Sequence, residues 1–189
     1  TTTTYTVTGT TGACTNTATV TVTVNPVPVV SVSPASISIC TGGSTTLMAS
    51  GGTTYAWLPA TGLSSTTAPT VVATPASTIT YTVTGTTTGC TASATAAITV
   101  NPIPSVSTTG AGTICSGSST NLTASGATSY VWSPGTGLSS TTVSNPTASP
   151  TTSITYTVSG TSLGCTGTAT ALVSVTSLPT VTTSGNVSI

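Results

Sequence analysis

The chain has 189 residues, 36% of them hydrophobic, and contains no Asp, Glu, Lys, Arg or His. It therefore lacks a general base for neutral pH, a carboxylate or imidazole to orient one, an oxygen cage for calcium or magnesium, and a cation for phosphates or anionic membranes. The composition argues against an enzyme, a cofactor site and a nucleic-acid partner, and no apolar run approaches the roughly 20 residues that a spanning helix needs.

Taken in order, residues 1–25 read as two strands. TYTVTGT (4–10) and TATVTVTV (17–24) alternate apolar and hydroxyl residues. Period 2 puts Val on one face and Thr on the other, and the β-branch of Thr favours the extended backbone while its hydroxyl meets water. The word NPVPVV (25–30) follows and returns as NPIPSV (101–106). Pro26 and Pro28, and again Pro102 and Pro104, fix two φ angles and restrict their neighbours, so each pair reads as a short stiff joint. At the third joint, TSLPTV (176–181), only Pro179 remains and easier bending is expected.

Between the joints, strands are expected near 29–33, 36–40, 44–50, 54–58, 69–74, 78–87 and 90–100. Glycine-bearing turns fall at 41–43, 50–53, 59–62 and 87–90. The second stretch copies this order from 104 to 176. Seven short strands with frequent turns imply a two-sheet sandwich. No stretch has helical period.

The copying is close. Cys40, Trp57, Tyr81 and Cys90 recur as Cys115, Trp132, Tyr156 and Cys165 with every internal spacing kept. The period is 76 from Cys14 to Cys90 and 75 from Cys90 to Cys165. Such a period means a tandem array. The expected organisation is the C-terminal strands of a preceding repeat (1–25), two repeats (26–101 and 102–176) and the first strand of a following one (177–189). The chain reads as a window on a longer array.

Five cysteines with no histidine and no CxxC pair read as disulfides and not as a metal site. That implies an oxidising, extracellular compartment. The simple pairing is Cys40–Cys90 and Cys115–Cys165, with Cys14 left over. Topology raises an objection to it: in an immunoglobulin-type sandwich the two cysteines of one domain sit a strand length apart, far beyond disulfide reach. The alternative pairs Cys40 with Cys165, from one domain to the next, and leaves Cys90 and Cys115 for other domains. Trp57 and Trp132 sit mid-strand in a Y-x-W word and read as core, as do Tyr81 and Tyr156, with their hydroxyls on backbone. An open Trp face would instead serve a polysaccharide. The sequons at Asn121 and Asn186 are expected by chance in so Thr- and Ser-rich a chain.

The words C-x-G-x-S-T-x-L-x-A-S-G (40–51), Y-x-W-x-P-x-T-G-L-S (55–64), T-Y-T-V-x-G (80–85), G-C-T (89–91) and V-N-P (100–102) resemble the PKD-like or immunoglobulin-like repeats of giant surface proteins of Bacteroidota. Many of those are exported by type IX secretion, and some act as adhesins or in gliding motility. The W-x-F-G-D-G word of PKD domains proper is replaced by WLPATG (57–62) and WSPGTG (132–137), without its acidic residue. The resemblance implies tandem β-sandwiches in an elongated array serving as a stalk or fibre at the cell surface. Neighbouring repeats, other copies of the chain, or a surface polysaccharide are the implied partners.

Overall fold

The computed structural model describes residues 1–182 and Gly185; of the strand expected at 177–189, six residues lie outside the described ones and the other seven are irregular chain, not strand. The described chain is all-β and divides into two compact units, Thr1–Val100 and Asn101–Ile189.

The first unit opens with a hairpin of β1 (Thr3–Thr11) and β2 (Cys14–Val22). Then come β3 (Ser31–Ser33), β4 (Ser36–Cys40), β5 (Thr45–Ser50), β6 (Thr54–Leu58), β7 (Thr70–Ala73), β8 (Ile79–Thr87) and β9 (Cys90–Asn101). These seven strands coincide, within a residue or two, with the alternating words of the sequence. They form two sheets in the orders β3-β5-β7 and β4-β9-β8-β6.

Alternation decides which face closes. Along β8, Tyr81, Val83 and Gly85 point inward, and on β9 Ala96 and Ile98 do so. They meet Leu47 and Ala49 from β5, Trp57 from β6, and Val71 and Ala73 from β7 in one core. The intervening Thr and Ser side chains face outward. Some pair across strands, as Thr84 Oγ1 does with Ser93 Oγ at 2.9 Å, so hydroxyls cover the sheet where other proteins use charge.

The second unit repeats the plan with β10 (Ser107–Thr109), β11 (Gly112–Cys115), β12 (Thr120–Asn121), β13 (Thr123–Ser125), β14 (Ser129–Ser133), β15 (Thr147–Ala148), β16 (Ile154–Ser162) and β17 (Cys165–Thr176). Its larger sheet runs β11-β17-β16-β14. The smaller sheet differs from its counterpart. The strand equivalent to β5 is split into β12 and β13, and the partner β15 has only two residues. The cause lies in one residue: Pro146 stands where the first repeat has Val71. Proline cannot donate to the ladder, so regular pairing stops there. Its carbonyl still accepts from Leu122 N at 3.0 Å.

The repeated loop word after each Trp also has a physical reason. Trp57 Nε1 donates to Ala68 O at 2.9 Å and the Tyr81 hydroxyl donates to Thr61 O at 2.6 Å. Trp132 to Val143 O and Tyr156 to Thr136 O do the same at 2.9 and 2.7 Å. Both polar tips of the aromatic core are thus spent on the β6–β7 and β14–β15 loops. These bonds pin the loop ends over the core and leave neither donor unpaired in an apolar setting.

Burial raises the pKa of Tyr81 and Tyr156 above the ordinary phenol value. A raised folded pKa means that stability is complete below the unfolded value and is lost as pH climbs through the folded one. No carboxylate, imidazole or amine side chain adds a second titration. Denaturation midpoints are therefore expected to stay level from about pH 4 to about pH 7, below the ordinary thiol and phenol ranges, and to fall steeply only above about pH 10. Chemical denaturation at a series of pH values, followed by Trp fluorescence, tests this. A loss of stability on the acid side would contradict it.

Candidate functional site

Among the described residues, no group of three or more metal-ligating side chains comes together. What the fold does bring together lies at the ends of each repeat, where the cysteines meet the proline joints.

Strand β11 pairs in parallel with β17, so that Cys115 stands opposite Thr176 while Cys165 is the first residue of the same strand. The two cysteines of one repeat therefore lie at opposite ends of its longest strand. Eleven positions (165 to 176) at about 3.3 Å each put them roughly 35 Å apart, against a disulfide Cα separation of about 5–7 Å. In the first repeat β4 likewise lies beside β9 and ends in Cys40.

The oxidation states agree with this geometry. Cys40 and Cys165 are disulfide-bonded, whereas Cys14, Cys90 and Cys115 are free thiols. Neither Cys40–Cys90 nor Cys115–Cys165 forms, because each would join a bonded cysteine to a free one. The simple within-repeat pairing is corrected. The bond runs between Cys40 and Cys165, the alternative that topology supplied.

The joint residues divide by exposure: Pro28 and Pro104 are half-buried, Pro26 and Pro102 exposed, and Pro179 lies exposed in irregular chain. The residue that fastens the joint is one that the prolines had hidden. Asn25 Nδ2 donates to Thr88 O at 3.0 Å, and Asn101 Nδ2 donates to Leu163 O at 3.0 Å. Thr88 and Leu163 are first in their hairpin turns and hold left-handed φ of 49° and 51°, followed by Gly89 and Gly164 at 82° and 79°. Two successive positive φ values make the tight turn whose twist matches a β-hairpin. The second cysteine follows immediately. The free thiol of Cys90 donates weakly to Asn25 O at 3.6 Å, and Cys165 Sγ lies 3.8 Å from Asn101 O, a contact without a proton since that sulfur is bonded.

Replacing Asn25 by Ala removes the donor and is expected to lower the stability of the first unit by about 1 kcal/mol. Amide exchange at residues 88–90 is expected to quicken, while exchange in the core strands is set by the global change alone. A melt indistinguishable from the parent, with unchanged turn exchange, would show that the bond fastens nothing.

Both indoles are buried, Trp57 to 1% exposure and Trp132 to 2%, and so are Tyr81 and Tyr156. No Trp face is offered to a ligand. Asn121 is exposed, with its side-chain oxygen accepting from Thr147 Oγ1 at 2.9 Å; Asn186 lies outside the described residues.

No family model and no curated protein matches the chain. Among solved structures, the extracellular domains 3–5 of Drosophila OTK match with a TM-score of 0.51 at 11% identity, over 92% of this chain and 70% of that one. The fold is immunoglobulin-like. Two further matches, with TM-scores below that of OTK, are a titin I-band fragment, I67–I69 (TM-score 0.45, 14% identity, 82% of this chain and 67% of that one), and the N-terminal eight immunoglobulin domains of Down syndrome cell adhesion molecule (0.40, 12%, 91% and 26%). At such identity, the OTK likeness speaks to the fold alone. The parallel pairing of β11 with β17 and the buried Trp against the opposite sheet are how this chain builds its immunoglobulin-like domains.

Proposed function

We propose that the chain is a non-enzymatic structural stretch of an extracellular surface protein, a stiff uncharged spacer of the stalk or fibre type. The observation that carries this reading is the disulfide between Cys40 and Cys165, equivalent neither in repeat nor in position. Such a bond persists in an oxidising compartment, which favours secretion or surface display. Each domain would add roughly 35–40 Å of length. The Pro-rich joint, its Asn latch and the absence of ionisable groups that proteases and partners recognise support the same reading. On the resemblance of its words, the stalk belongs with the type IX-secreted surface proteins of Bacteroidota, adhesins and gliding-motility proteins among them. Rotary-shadowed particles should appear as straight rods of evenly spaced domains. Freely jointed beads would remove the spacer role.

A second reading, a subunit of a multi-chain filament, draws on the exposed apolar face of the first hairpin. The polysaccharide reading loses its main support, since neither Trp ring is open.

A further inference from the structure

The hairpin β1–β2 reproduces β8–β9 with its core side turned to solvent. Eight of the nine residues of Thr3–Thr11 match Ile79–Thr87, and the registers agree: Tyr5 opposes Val20 as Tyr81 opposes Ala96, and Thr11 opposes Cys14 as Thr87 opposes Cys90. Yet Tyr5 is 56% exposed and Val7 65%, against 0% for Tyr81 and Val83. Val20 and Val22 on β2 are equally open.

The glycines give an independent sign. Gly85 lies under the start of its own repeat, where an added Cβ would sit 2.5 Å from Val30 Cγ2; Gly160 has the same relation to Val106 Cγ2 at 2.6 Å. Gly9, the equivalent residue of the hairpin, has nothing within 4 Å of its would-be Cβ. It keeps a notch that only a covering valine needs. A glycine in mid-strand otherwise weakens the strand. A lone two-stranded hairpin is also marginal in water, and one with an apolar face is more so.

We infer that β1–β2 is the acceptor half of an immunoglobulin-like sandwich, and that its occupant is a segment of the same repeat type as residues 26–76. The complete repeats show what such a segment supplies. A strand like β6 joins the free edge of β1, as β6 joins β8, and one like β4 joins the edge of β2. Leu47, Ala49, Val71 and Ala73 show which side chains close the apolar face, and Val30 shows what fills the notch at Gly9. The segment is uncharged, as the face is, so recognition rests on register and shape.

This inference rests on the tandem-array reading but fails separately from it. The test places a second copy of residues 26–76 directly before Thr1 of the full chain, in the spacing that the 76-residue offset from Tyr5 to Tyr81 sets. Hydrogen exchange of β1–β2 amides is expected to slow at least 100-fold relative to the parent, to the level of β8–β9, and Tyr5 to become inaccessible to a phenol-modifying reagent. In the fused chain, Gly9→Leu should restore fast exchange, while in the parent it should leave exchange unchanged. Hairpin amides that stay fast in the fused chain would overturn the inference. So would protection in the parent that rises with concentration, since the occupant is then the hairpin of a second copy. If the fusion fails while shadowed particles are still rods, the spacer reading stands and the inference alone falls.

Discussion

Trp57→Ala is expected to lower the stability of the first unit by about 3–5 kcal/mol, a large part of what a domain this small possesses. The indole is 1% exposed, lies in register with Val83 and packs among Leu47, Val71, Ala73 and Tyr81. Its removal leaves the largest cavity that a single substitution can make in this core. It also strips the Ala68 carbonyl of its donor. Trp57→Phe separates the two effects: the ring is largely kept, the N–H is lost, and the expected cost falls to about 1–3 kcal/mol. Trp132→Ala should act in the same way on the second unit. Amide hydrogen exchange of the substituted unit's core strands against denaturant gives its midpoint, while fluorescence of the remaining Trp reports on the other unit. A Trp57→Ala protein with an unchanged midpoint would mean that the indole is not what holds the sheets together.

Denatured without reductant, the chain is expected to present three reactive thiols, and after reduction five, because Cys14, Cys90 and Cys115 are free and Cys40 and Cys165 are bonded. Cys40→Ser should raise the unreduced count to four by releasing Cys165. Trypsin has no site in a chain without Lys or Arg, so the bridge is mapped with thermolysin, which cuts before aliphatic residues. A linked peptide pair holding positions 40 and 165 is expected, and one holding 40 and 90 would sink the assignment. The bond closes 125 residues (165 − 40), for which the chain-entropy treatment gives about 5 kcal/mol relative to the reduced chain. The drop in midpoint on reduction or in Cys40→Ser is therefore expected to rival that of Trp57→Ala.

These two results probe different kinds of information. Trp57 and Tyr81 could be placed in a core from their neighbours alone. Alternation of Val and Thr on either side says which face closes, and the largest apolar group on that face has nowhere better to go. The same local rule located β3–β9 within a residue or two, and the 75–76-residue spacing of the cysteines located the second set. Local chemistry even carried the objection to pairing Cys40 with Cys90, since strand length follows from residue count.

Other features had no local signature. Asn25 and Asn101 looked like the polar first letters of a proline joint. Only the folded hairpin brings the Thr88 and Leu163 carbonyls within 3.0 Å of their amides, across more than 60 residues of sequence. Pro146 reads as one more loop proline until β15 is seen to stop beside it.

By itself, then, the sequence determined that this is a chain of repeated, uncharged β-sandwiches with indole and phenol inside, because periodicity and composition act residue by residue. Which sulfur meets which, which carbonyl takes each buried donor, and which hairpin face stays open were decided only by the tertiary structure. The parallel placement of β11 on β17 sets the ends of a repeat apart, and no count of residues along one strand reveals the direction of the strand beside it.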